Sequence, residues 1–286
     1  MRKKNPIHVL QHIPLAALLV CTLLVCIFLF GILWHIFSKA YPTLTLDFIL
    51  SNPRNGMTEG GILPALIGTV LLTLLTTLVS MPLGVGCAIY LNEYAKDGWI
   101  TKLIRVAIRN LAGIPSIIYG LFGLAFFVQT LHIGTSLLAA GCTLGLLSLP
   151  YIVSTTEEAL KTIPNRIREA GLALGATKFE TIRDLVLPAA IPGIATGLVL
   201  SLSRAAGETA PILFTGAAFF ITGLPGNPLN EFMALPYHLY ILSTQHQSIE
   251  LVKPLAYATA AVLIILVFVL NLIAIFIRQK YRNLLQ

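Results

Sequence analysis

Between two long apolar runs the chain reads Thr155-Thr156-Glu157-Glu158-Ala159-Leu160. It goes on as Asn165-Arg166-Ile167-Arg168-Glu169-Ala170-Gly171-Leu172-Ala173-Leu174-Gly175-Ala176-Thr177-Lys178-Phe179, and closes on Leu185-Val186-Leu187-Pro188. Leu160, Ile163, Ile167 and Leu174 recur at roughly helical spacing with charges on the other faces, which predicts amphipathic helices. Gly175 is placed to end the first of them in a left-handed or close-approach conformation. A second short helix carries Phe179 and Ile182 on one side until Pro188 and Pro192 break it. Two helices meeting at a glycine form a compact knob. Nothing in the neighbouring polar sequence is large enough to bury its apolar stripe, so the stripe needs a separate protein docked on it or a bilayer surface beneath it. Patterning alone leaves both open.

The runs on either side decide the class. Of 286 residues, 56% are hydrophobic and 11% charged, against about 25% charged in a soluble domain. That excludes an ordinary cytosolic protein. Six apolar blocks, near residues 14–37, 62–82, 110–129, 134–155, 193–219 and 255–277, are each close to the roughly 20 residues one helix needs to cross the hydrocarbon. The expected fold is therefore all-α: a polytopic membrane protein of six transmembrane helices with both termini on one side. Positive residues collect in cytoplasmic loops. Arg2, Lys3, Lys4, Lys96, Lys102, Arg105, Arg109, Lys161, Arg166, Arg168, Lys178, Arg183, Arg278, Lys280 and Arg282 all fall on one side; only Lys39, Arg54 and Lys253 fall on the other. The termini and the knob are thus expected in the cytoplasm. The basic start before residue 37 imitates a signal peptide, but its apolar run is too long and no small-x-small site follows, so it is expected as a retained first span. Residues 1–61 (tail, first span, outer loop) separate from a core of five helices over 62–286, whose longest inner loop is 156–192.

The net charge of +7 is spread over four short juxtamembrane stretches without aromatic interleaving, so topology accounts for it and nucleic acid does not. Cys21, Cys26, Cys87 and Cys142 lie in apolar sequence with no CxxC, and no metal site is expected. In the third span, Gly113, Pro115, Gly120 and Gly123 permit bends and close helix approach, or serve packing alone. The outer segment 217–254 is aromatic and punctuated by Pro and Gly, which suits an interfacial helix, a re-entrant lip or an ordered loop.

The fifth block holds Ser201-Leu202-Ser203-Arg204-Ala205-Ala206-Gly207-Glu208-Thr209-Ala210-Pro211. Arg204 lies about ten residues in from the cytoplasmic end, roughly 15 Å deep, where a charge costs about 2.5 to 3.5 kcal/mol even on insertion scales. One reading is an intrahelical pair with Glu208, one turn along. The other is a substrate pathway in which Arg204 presents its planar fork to a tetrahedral oxyanion, Glu208 orients it, and Ser203 and Thr209 add hydroxyl donors. Ser203 and Arg204 do not face one axis together, and membrane hydroxyls often bond their own backbone.

Glu169-Ala170-Gly171, three residues, Gly175 and then Leu185-x-Leu187-Pro188 resembles the EAA loop of ABC importer permeases (Glu-Ala-Ala-x3-Gly-x9-Ile-x-Leu-Pro), with Gly171 for the third-position Ala and Leu185 for Ile. The resemblance implies a MetI-like bundle. It also makes Glu169, Ala170, Gly171, Gly175, Leu187 and Pro188 part of a coupling loop seated in a cleft of an ATP-binding subunit. From the third span onward, Gly113-Ile114-Pro115-Ser116-Ile117-Ile118-Tyr119-Gly120-Leu121-Phe122, Thr155-Thr156-Glu157-Glu158-Ala159-Leu160 and Ser203-Arg204-Ala205-Ala206-Gly207-Glu208-Thr209-Ala210-Pro211 resemble the PstA family of phosphate ABC permease subunits. That likeness implies a bacterial cytoplasmic-membrane importer of inorganic phosphate with Arg204 and Glu208 on its path. It implies as partners a PstC-like second permease, two PstB-like ATPases and a PstS-like external binding protein. Permeases for sulfate, molybdate or phosphonate share the coupling loop, and a secondary anion transporter is the alternative from another class. The chain has no Gly-x4-Gly-Lys-Ser/Thr loop, HExxH or GxSxG, so no enzyme activity and no cofactor of its own are expected, with ATP and Mg held by the ATPase.

Overall fold

The computed structural model describes residues 6–221 and 223–284. Arg2, Lys3 and Lys4 of the expected cytoplasmic tail lie outside them, as do the side chains of Lys280 and Arg282. Helix α1 (Pro6–Ala40) is apolar all round, and from Ala17 onward it is exposed along most of its length, as suits a helix solvated by lipid. It meets the bundle through the last long helix, where His35 Nε2 and the Tyr257 hydroxyl are 3.2 Å apart. The short α2 (Leu46–Leu50), N-capped by Thr45, and a two-strand hairpin of β1 (Pro53–Arg54) and β2 (Glu59–Gly60) complete the outer loop. Phe48, Met57 and Ile62 of this loop share one buried cluster with Met233, Leu235, Ile241 and Val252.

Helix α3 (Leu63–Ile89) continues as a π turn through Tyr90–Tyr94, well past Pro82, where the second span was expected to end. Pro82 interrupts one backbone bond, and its neighbours carry the helix on. Next come α4 (Trp99–Leu111) and α5 (Ser116–Gly123), the latter extended by a π turn over Leu124–Thr130. The two are bent by 101°. A break at residues 112–115 therefore interrupts the block expected near 110–129, and α4 before it is a separate amphipathic helix that periodicity had not resolved.

Helix α6 (Leu137–Lys161) is the most buried of the crossing helices. The knob comprises α7 (Asn165–Ala173) and α8 (Lys178–Thr181), followed by a π turn over Ile182–Val186 and α9 (Leu187–Gly207). Pro188 does not break this helix as expected. It has no N–H to give, and the wide turn before it, in which Leu187 N–H donates to Ile182 O, absorbs the missing bond. After α9 come α10 (Ala210–Thr215), α11 (Leu235–Tyr240) with a π turn over Ile241–Gln245, and α12 (Ile249–Leu284). Five described helices are long and apolar enough to cross a membrane, or up to six where the bent pair counts as one span.

Small residues draw the bundle together. A Cβ on Gly193 would stand 2.5 Å from Ala159 Cβ, and one on Gly197 would stand 1.9 Å from Thr155 Oγ1. Two glycines four apart thus lie over two residues four apart on α6, the close helix contact that packing without a hydrophobic driving force favours. Residues 228–235, which lead into α11, pack on the bundle as well. Phe232, Met233, Ala234 and Leu235 are fully buried, and the backbone before them binds that of the α6 start, Leu137 N–H to Asn230 O and Leu138 N–H to Pro228 O.

Candidate functional site

Arg204 lies in the last turn of α9, which stops at Gly207. Glu208 follows in extended conformation (φ −74°, ψ 131°), and Thr209 leads into α10. The alternative of a pair along one continuous helix is therefore modified: Glu208 stands just beyond the helix end. Gly207 is a poor helix former, and Pro211, whose missing N–H is harmless in a first turn, starts the new helix. Across this break Arg204 Nε and Glu208 Oε1 are still 3.1 Å apart. A cation beside the carbonyl end of α9 is also favourably placed for the helix dipole.

The Arg204 guanidinium carbon sits 4.8 Å from the Tyr151 ring centroid, and Nη1 donates to the Tyr151 hydroxyl at 3.0 Å. That hydroxyl donates in turn to Ala112 O at 3.3 Å, at the bend between α4 and α5. Among the described residues, these partners leave most of the guanidinium fork's donors free. The Arg204 side chain is 42% exposed and that of Glu208 16%, so the cation lies on the outside of this chain's own bundle rather than in a cavity within it.

Ser203 turns the other way. Its hydroxyl donates to Val199 O at 2.8 Å and hydrogen-bonds Asn271 on α12. Thr209 is half-buried at the start of α10 and makes no side-chain cap. The structure brings together Arg204, Glu208 and Tyr151, and leaves Ser203 on another face. Gly120 seats this arrangement, since a Cβ there would meet Pro211 Cα at 2.9 Å.

Some 30 residues earlier, the knob ends α7 with paired bonds: Gly175 N–H to Leu172 O and Ala176 N–H to Gly171 O. Gly175 has φ +86°, the left-handed turn that this 6→1 and 5→2 pattern requires. Thr177 and Glu180 then form a reciprocal capping box. Gly171 is buried, and a Cβ on it would stand 2.8 Å from Thr181 Oγ1, so the glycine lets α7 lie directly on the following helix. Glu169 and Ala170 are exposed, and Leu187 and Pro188 are half-buried. The expected apolar stripe divides. Leu160 and Ile182 are buried, whereas Leu174 is 88% and Phe179 61% exposed, because the turn at Gly175 swings Leu174 away from the bundle.

Two ion pairs that periodicity did not reveal hold the knob and α4. Arg168 Nη2 lies 2.6 Å from Glu93 Oε1, and the same guanidinium donates to Leu160 O and Ile163 O. Arg105 pairs with Glu157 at 2.7 Å and donates to Leu91 O. The sequence signal available was that Glu93 and Glu157 are acids in basic juxtamembrane stretches; which cation each meets depends on helix packing. The four cysteines are free, and the described residues contain no cluster able to hold a metal.

A helical bundle with up to six membrane-length segments, a broken helix carrying an exposed cation and a helix knob at one end has the form of a multi-pass membrane protein. Residues 80–283 match the family described as binding-protein-dependent transport system inner membrane component, and the chain belongs to that family. It is 33% identical to the probable ABC transporter permease protein YqgI of Bacillus subtilis (strain 168), over 89% of this chain and 90% of that one. It is 34% identical to the phosphate transport system permease protein PstA of Pasteurella multocida (strain Pm70), over 88% and 90%. Its fold is similar to a solved chain of the MetNI methionine ABC transporter, with a TM-score of 0.60 and 20% identity over 76% of this chain and 94% of that one. The chain is thus an inner-membrane permease component with a MetI-like fold.

Proposed function

We propose that this permease carries inorganic phosphate into the cytoplasm, driven by ATP hydrolysed on separate subunits. The observation that carries the reading is the Arg204 guanidinium, held at the break between α9 and α10 by Tyr151 and Glu208 with most of its donors free. A planar fork suits a tetrahedral oxyanion, and Glu208 keeps the empty site from becoming a deep anion trap. The name borne by the Pasteurella multocida relative supports phosphate as the anion. Because the cation faces out of the chain, the path is completed by a second, PstC-like permease. The knob, with Glu169 beside exposed Leu174 and Phe179, docks one of two PstB-like ATPases, which hold the ATP and Mg. A PstS-like protein delivers phosphate from outside, and both termini lie in the cytoplasm.

The test is uptake of labelled phosphate by the assembled complex in vesicles, with unlabelled phosphate, sulfate and molybdate as competitors. Competition by phosphate alone is expected. Equal or stronger competition by sulfate or molybdate overturns the substrate assignment.

A further inference from the structure

Helix α4 has two faces that the permease reading does not use. Thr101, Arg105 and Ile108 turn towards the protein: Thr101 is buried, Arg105 is tied to Glu157 and Leu91 O, and Ile108 packs on the cluster of Ala88, Leu91 and Val153. Around one flank the helix exposes Ile100, Leu103, Ile104 and Leu111, with Trp99 at its start 74% exposed. The opposite flank carries Lys102 and Arg109. Neither makes an ion pair among the described residues, and Trp99–Leu111 contains no acidic residue.

Orientation gives these faces a meaning. Helix α4 is turned by 101° from the apolar segment Ser116–Thr130; with that segment directed along the membrane normal, α4 runs close to the membrane plane. A helix in that plane, apolar on one flank and cationic on the other, with a tryptophan at its start, matches an interfacial helix whose apolar side enters the acyl region and whose cations lie at headgroup level. We infer that α4 is an interfacial helix on the cytoplasmic leaflet and that Lys102 and Arg109 bind the headgroups of anionic phospholipids. Each cation near an anionic surface contributes roughly a fivefold rise in local affinity, and the two together roughly thirtyfold. Through Arg105 and the Tyr151 to Ala112 hydrogen bond, the headgroup layer becomes mechanically connected to α6 at two points.

The chain has two tryptophans, so the full chain with Trp34→Phe reports on Trp99 alone. It is placed in phosphatidylcholine vesicles containing a small fraction of either phosphatidylcholine or phosphatidylglycerol brominated near the headgroup end of the acyl chain. Brominated phosphatidylglycerol should quench Trp99 several-fold more than brominated phosphatidylcholine. Lys102→Gln with Arg109→Gln should erase that preference while quenching by brominated phosphatidylcholine persists, which shows the helix still seated. Equal quenching by the two lipids before those substitutions, or none by either, overturns the inference. In the assembled complex, Leu103→p-benzoylphenylalanine should photocrosslink to lipid; crosslinks to a companion subunit instead mean that protein covers this face, and also overturn it.

Discussion

Glu93→Ala removes the carboxylate that ties the end of span two to the knob. In the intact chain the Glu93 side chain is 5% and the Arg168 side chain 18% exposed, with 2.6 Å between charged atoms. Breaking a buried pair by deleting one partner costs about 3 to 5 kcal/mol. Two features reduce that here. Arg168 retains the Leu160 and Ile163 carbonyls, and a cavity of about 480 Å³ lined by Arg168, Lys161 and Lys178 admits water to the abandoned guanidinium. A cost of about 2 to 3 kcal/mol follows, or roughly a thirty- to 150-fold rise in local opening of α7. Hydrogen exchange of the amides in Asn165–Ala173 reads this directly, because protection follows the free energy of local opening. Protection should fall by that factor in Glu93→Ala, while the amides in the middle of α6 stay protected. Glu93→Asp, which keeps the charge, should recover part of it. Unchanged exchange of α7 in Glu93→Ala would refute the claim that this pair holds the knob to the bundle.

Tyr151→Phe keeps the ring under Arg204 and removes the hydrogen bond; at about 1.5 kcal/mol for a bond to a charged group, phosphate uptake by the assembled complex should fall roughly tenfold with the ATPase still bound, and wild-type uptake would contradict the positioning role. Gly197→Ala drives a methyl group onto Thr155 and should destabilise the subunit by about 1 to 3 kcal/mol in a thermal melt; Thr155→Ala in the same chain should relieve part of the loss, and a neutral Gly197→Ala would deny the close contact. His238, on α11 in the outer segment, is buried, and burial holds its imidazole down to about 4. The folded state keeps it neutral while the unfolded chain takes up the proton at its ordinary pKa, so its stabilising effect is complete above about 6.5 and is lost as pH falls towards 4. Melting temperature should drop between pH 7 and pH 5, and His238→Gln should flatten that drop; equal pH dependence in both proteins would contradict it.

Much of this was legible because it rests on long periodic patterns or on local backbone chemistry. Six apolar blocks register as crossings because the bilayer demands about 20 apolar residues whatever the tertiary packing. Gly175 was legible because a glycine between two amphipathic stretches marks a left-handed turn or a close approach, and φ +86° with open space around it selects the turn. The end of α9 was not. An apolar run continues to Phe220, and composition does not reveal that Gly207 and Pro211 outvote it and leave Glu208 outside the helix. Helix α4 was hidden for the opposite reason: thirteen residues with three cations fall below the length of a span, and the bend at residues 112–115 that sets the helix apart is a tertiary fact. Tyr151 was out of reach, since its partner is 53 residues away and nothing local marks a tyrosine in an apolar helix as the seat of a guanidinium.

Transport by the Arg204→Ala complex, with subunit assembly checked by co-purification, bears on the oxyanion path most directly. Loss of labelled phosphate uptake from a complex that still assembles is the predicted result. Uptake at the wild-type rate would mean that this guanidinium serves only its own bundle, and the phosphate path would have to be sought on another face.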